Sequence, residues 1–131
     1  MYTHGSPFTV CIDTGADCSL LTDRAYHHLH NLYDVPLSKE TRVFHAAQGS
    51  PLNIIGSVIL PVSFHNHDYT FDVKFYVVTN FALNCDALFG YDELVNHQIS
   101  IFPHCHAVSH YGFMHYASDL PVSVFTVASP F

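Results

Sequence analysis

A mostly β fold follows from two features of this sequence: several short apolar runs that alternate or end at glycine, and only two brief stretches of helical spacing. Length and composition set the scale. The 131 residues suit one domain and leave little room for two independent cores. With 49% hydrophobic and 11% charged residues, the chain is too apolar for disorder, and a packed globular domain is expected.

Each element can be read in order. Residues 1–7 supply at most a stub of strand. Phe8, Thr9, Val10, Cys11 and Ile12 form a short β-rich run that stops at Asp13-Thr14-Gly15, as a buried strand entering a tight loop does. Thr22 can cap a helix, because its hydroxyl can accept a first-turn N–H. Ala25, Tyr26, Leu29 and Tyr33 then recur at helical spacing until Asp34-Val35-Pro36 ends the pattern. Residues 42–47 lead into the turn-rich Gln48-Gly49-Ser50-Pro51, which predicts a hairpin. A strand over 52–64 follows, with Gly56 as a place to bend, and 65–68 read as a polar turn. Tyr69, Phe71, Val73, Phe75 and Val77 alternate with polar neighbours and are assigned to sheet core. Ala87-Leu88-Phe89 is a strand closed by Gly90. Residues 91–97 suit a short helix with Asp92 and Glu93 in its first turn, where acids favour the dipole. A brief strand at 99–102 stops at Pro103. The boundaries expected are therefore a domain over 1–102 and a C-terminal extension or linker over 103–131. That tail holds one weak strand at 122–127 and is expected outside the core.

Composition excludes some partners. The net charge is -7, with four Lys and Arg, so there is no material for the basic patch of a nucleic-acid binder. No stretch approaches the roughly 20 apolar residues of a membrane span, and the N-terminus lacks the pattern of a signal peptide. Cys11, Cys18, Cys85 and Cys105 show no C-x-x-C spacing and are expected to be reduced, in an intracellular setting. His104, Cys105, His106, His110 and His115 are metal-type donors, but their spacing matches no zinc motif. Histidines are scattered along the whole chain, so we read them as compositional bias and expect no metal and no cofactor.

Asp13-Thr14-Gly15-Ala16 carries the chemistry. A carboxylate stands at the end of a hydrophobic strand, followed by a small hydroxyl residue and a glycine that lets another backbone approach. One such carboxylate does little to a peptide bond. Two sharing a proton can act together, one as base on a water and the other as acid towards the carbonyl. Alone, the tripeptide reads as well as an Asp in a turn; its surroundings lengthen the match.

Val10-Cys11-Ile12-Asp13-Thr14-Gly15-Ala16-Asp17-Cys18-Ser19-Leu20-Leu21, Ala46-Ala47-Gln48-Gly49-Ser50-Pro51 and Leu88-Phe89-Gly90-Tyr91-Asp92-Glu93-Leu94 occur in one order. In these pieces, spanning about residues 8–102, the chain resembles the retropepsins, the aspartic proteases of retroviruses and gypsy-type retrotransposons. The resemblance implies an acid-protease fold: a closed, barrel-like β subunit with one or two short helices, working as a homodimer. It implies that Asp13 is catalytic, paired with Asp13 of a second copy, and that Thr14 and Gly15 shape the loop. Ala16 and Asp17 would touch an extended substrate, and Ala46, Ala47, Gln48 and Gly49 would form a flap over it. Leu88-Phe89-Gly90 would lie behind the catalytic loop. The implied partners are a second copy and a peptide or polyprotein, with the cytoplasm or a retrotransposon particle as setting. Tyr91 stands where retroviral enzymes typically carry an arginine.

Two other readings compete. One is a domesticated or degenerate retropepsin fold that dimerises or binds peptide without cutting; the intact Asp13-Thr14-Gly15 argues against it. The other is the retropepsin-like domain of the ubiquitin-linked, DNA-damage-inducible proteins. Its mark would be a ubiquitin-like domain or a long helical region, and these 131 residues contain neither.

Overall fold

The computed structural model describes residues 1–41, 43–45, 51–65, 69–79, 83, 85–116 and 125–128, with residues 103 and 125–128 described by backbone alone. The chain opens with a small hairpin, β1 (Tyr2–Thr3) and β2 (Ser6–Pro7). His4 and Gly5 turn it at φ 51 and 80, the two positive angles that a tight two-residue hairpin needs. There follow β3 (Val10–Asp13), β4 (Leu20–Thr22), α1 (Asp23–Tyr33), β5 (Asn53–Ser63), β6 (Phe71–Thr79), β7 (Ala87–Phe89), α2 (Tyr91–Asn96) and β8 (Ser100–Phe102). A single 3₁₀ turn (Pro103–Cys105) leads to β9 (Ala107–His110), β10 (Phe113–Tyr116) and β11 (Phe125–Ala128).

The larger sheet has the order β11-β3-β7-β4-β6-β5-β1-β2, and the smaller is β10-β9-β8. The large sheet curls into half a barrel. Closure is not made among the described residues, since β11 and β2 stand at opposite ends of the strand order. The backbone of β5 is bulged between Ile54 and Gly56, where the sequence allows a bend.

The main core lies on one face of this sheet. Leu21, Leu60, Val73, Phe75, Val77 and Phe89 are fully buried there, and Phe75 meets Phe8 and Phe89 edge-on at 6.5 and 6.4 Å. Helix α1 adds Ala25, Tyr26 and Leu29 at helical spacing. Its start is set by Thr22, whose hydroxyl accepts the Ala25 N–H at 3.2 Å. Its end comes at Asp34 (φ 52), whose N–H donates to His30 O at 2.9 Å.

Two expectations are corrected here. Tyr69 is not sheet core: it precedes β6 and is 70% exposed. On β6 both faces are covered from Phe75 to Val78, because Tyr76 and Val78 enter a second apolar cluster with Leu20 and Leu88. The segment after residue 102 does not lie wholly outside the core. Val108 on β9 is fully buried in the main cluster, Ala107 is buried, and β11 pairs with β3. The reason is positional. Strand β9 folds back on β8 as its antiparallel partner, and β10 pairs in turn with β9.

Candidate active site

Strand β3 is the spine of the site. Val10 and Ile12 are 1% exposed and point into the core, so Cys11 and Asp13 take the opposite face. The strand runs parallel to both neighbours, with Ile12 beside Phe89 on β7 and Asp13 beside Ala128 on β11. Asp13 is therefore delivered at the end of a buried strand and stands half-buried at its mouth. Its Oδ1 accepts the Gly15 N–H at 2.9 Å, and its carbonyl accepts the Ala16 N–H at 3.2 Å. This is the turn an aspartate makes when its side chain bonds the backbone two residues on. Thr14 is half-buried beside it, while Gly15 and Asp17 are exposed and Ala16 is half-buried.

What holds this loop was not read from the sequence. Ser19 is fully buried. Its Oγ donates to Asp92 Oδ1 at 2.8 Å and accepts the Gly90 N–H at 2.8 Å. Asp92 also accepts the Ser19 N–H at 3.3 Å and the Glu93 N–H at 2.7 Å. Ala16 O accepts the Tyr91 N–H at 2.7 Å. Four hydrogen bonds thus fasten both ends of the 16–19 segment to the start of α2, and the Glu93 N–H holds the Asp92 carboxylate in place. Gly90 makes the approach possible, because a Cβ there would lie 2.4 Å from Cys18 O and 2.6 Å from Cys18 C. The acid at the second position of α2 was legible as a dipole partner, but nothing local in the sequence pairs it with Ser19.

The expected flap residues Ala46, Ala47, Gln48 and Gly49 lie outside the described residues. Their flanks are described and pair as a hairpin requires: His45 bridges Pro51 in antiparallel sense, and the Leu52 N–H donates to Phe44 O at 2.8 Å. Phe44 packs on Tyr76 at 4.5 Å between ring centroids. Phe44, Leu52 and Ile54 join the second apolar cluster, against which Ala16 and Cys18 also pack. The base of the hairpin and the Asp13 loop therefore share one apolar surface.

Two thiols lie behind the carboxylate. Burial, and next the charge of Asp13, push the Cys11 thiol up. Burial, and next the neighbouring Cys11, push Cys85 up to about 11. All four cysteines are free. Among the described residues, no three His, Cys, Asp or Glu side chains converge as a metal site would need. A cavity of about 690 Å³ is lined by Phe64, Tyr69, His110, Tyr111 and their neighbours and includes no residue of the 13–17 loop.

No protein-family profile matches the chain, and no curated protein sequence does. A solved structure does match it: the retroviral protease-like domain of Ddi1 from Leishmania major, with a TM-score of 0.62 over 82% of this chain and 81% of that one. The fold is retropepsin-like. At 22% identity the likeness extends to architecture and not to individual residues. In this retropepsin-like fold, the half-barrel sheet and two helices bring Asp13, Thr14, Gly15 and Ala16 together at the end of β3, with Asp17 turned to solvent.

Proposed function

We propose that the chain is an aspartic endopeptidase whose active unit is a homodimer, one Asp13 coming from each copy. The observation that carries this reading is the Asp13-Thr14-Gly15 turn at the end of β3 within a retropepsin-like fold. These 131 residues hold one such turn, and in this reading a symmetric partner brings the second carboxylate.

Two carboxyls brought this close cannot both ionise, and they share one proton. Their titration belongs to the pair. The ionised member takes a proton from a water, whose oxygen attacks the peptide carbonyl. The protonated member gives its proton to the carbonyl oxygen. Collapse of the tetrahedral adduct breaks the C–N bond, with a proton returned to the amine. Thr14 and Gly15 keep the two loops in register. Substrate lies as an added strand along Ala16 and Asp17, beneath the hairpin tip at 46–49, so that backbone bonds supply affinity. The apolar cluster of Leu20, Tyr76, Val78 and Leu88 beside that path supports a preference for apolar side chains flanking the cut. The catalytic unit is 1–102, with 103–131 a C-terminal extension whose β9 packs against the core and whose β11 pairs with β3. The natural substrate is the polyprotein of a retrotransposon, processed inside the cell or the element's particle.

The test is cleavage of a mixed peptide library at mildly acidic pH, with Asp13→Asn as control. Asn keeps an oxygen for the Gly15 N–H, so the variant is expected to melt like the parent. Its cleavage rate should fall at least about 10²-fold. Full activity in Asp13→Asn removes the dyad mechanism. Silence of a folded parent moves the reading to a non-catalytic retropepsin-fold module.

A further inference from the structure

The cavity of about 690 Å³ that stands apart from the Asp13 loop has a size typical of small-molecule sites. Among the described residues eight line it, and seven of these carry a ring. Five of the eight, from His110 to His115, belong to the β9–β10 hairpin; Phe64, His65 and Tyr69 come from the end of β5 and the approach to β6. The rings are braced against one another. His115 stacks on Phe64 at 4.6 Å and lies 5.0 Å from His65, while Tyr111 meets His110 at 4.3 Å and Tyr69 edge-on at 6.2 Å. The rim is open: Tyr69, Tyr111 and Phe113 are 70%, 60% and 72% exposed. Tyr111 is also strained. It sits at φ 52 before Gly112 at φ 82, in a two-residue turn closed by the His110–Phe113 pair. Asn, Asp or Gly fill that left-handed position at less cost than a bulky ring, so the chain carries strain to keep a ring at the rim.

We infer that this cavity binds an uncharged, planar aromatic small molecule of two or three fused rings. Ring-lined walls favour a flat guest, which can stack offset on some faces and meet others edge-on. The Met114 thioether adds a polarisable contact of the kind sulfur makes with rings. Charge selects further. Among the described lining residues there is no Asp or Glu to answer a cation and no Lys or Arg to answer an anion. A chain of net charge -7 repels anions in general, and three imidazoles in the wall, each able to take up a proton, count against a cation. An ion would lose its hydration here without a counter-charge. A neutral ring system loses little and covers the exposed rim. The phenol groups of Tyr69 and Tyr111 can answer one or two polar substituents on it. Most of the wall comes from the segment after residue 102, so the site is a property of the extension and stands whether or not Asp13 cuts peptide.

Fluorescence titration of the full chain with Nile red, an uncharged planar dye whose emission rises and shifts to the blue in apolar sites, tests this. Tyr111→Asn removes one ring and supplies a residue that the turn prefers, so its far-UV melt should match or exceed the parent's. Ile59→Thr trims an exposed apolar side chain of β5 that does not line the cavity. The expected result is saturable binding by the parent and by Ile59→Thr, weakened about ten-fold in Tyr111→Asn. Displacement of the dye reads the ligand class. Naphthol should displace it at concentrations at least about ten-fold below those needed by naphthalenesulfonate or naphthylmethylammonium. Non-saturable binding by the parent, or equal binding by Tyr111→Asn, would overturn the site. Displacement by either ion at the concentrations that suffice for naphthol would overturn the ligand assigned to it.

Discussion

Asp13 is held by very little of its own. One bond, donated by the Gly15 N–H to its Oδ1, sets the turn, and the rest of its placement comes from the buried residues on either side of Cys11. The two thiols behind it offer a residue-scale test. Burial chiefly, and Cys11 next, raise the Cys85 thiol to about 11. At about pH 8 such a thiol is thiolate only about one part in a thousand. In the folded protein Cys85 should therefore alkylate far more slowly than exposed Cys105, by peptide mapping after iodoacetamide; equal rates would contradict its burial. The same shift has a stability sign. The unfolded thiol, with its ordinary value of 9.0, loses its proton before the folded one does. The contribution is thus whole below about 9 and lost as pH rises through about 11. The urea midpoint should fall across that window, and less so in Cys85→Ser.

At the scale of elements, the loop after Asp13 is only as rigid as its attachment to α2. Ser19→Ala removes a buried hydroxyl and leaves the Gly90 N–H and one Asp92 oxygen without it. A loss of about 1–3 kcal/mol is expected, together with slower cleavage; an unchanged urea midpoint would show that these bonds are idle. Gly90→Ala should cost at least about 1–3 kcal/mol, because the new Cβ meets the backbone of Cys18 and not a movable side chain. These partners illustrate what the sequence could not display. Helix α1 was legible because its cap, its buried stripe and its stop are all local. Ser19 and Asp92 are 73 positions apart, and only the fold makes them neighbours. Tyr69 was misread for a related reason: its period matched β6, but the strand begins at Phe71.

For the whole molecule, the proposed enzyme is completed by association. Cleavage rate should rise more than linearly with protein concentration while monomer predominates, and become linear once dimer does; a linear rate from the lowest measurable concentration would point to a site complete in one chain. The dyad uses no metal, so EDTA should leave the rate unchanged, and a clear loss would return attention to the histidines. The histidine-rich tail shows how tertiary structure reassigns a segment. Residues without period in the sequence become β9 and β10, and His110 and His115 are 5% and 6% exposed.

By itself the sequence determined the mostly β class, α1 with its cap, the apolar strand ending at Asp13, and the bend near Gly56. All are set by neighbouring residues through backbone preference and the period of burial. The retropepsin-like resemblance was likewise carried by short contiguous pieces. Tertiary structure alone decided that β3 is flanked by β7 and β11, that Asp92 rather than a charged residue at position 91 grips the Asp13 loop, and that β9 joins the core. Those are contacts between distant segments. Their hydrogen bonds and buried area exist only after the chain has closed around them, so no local pattern announces them.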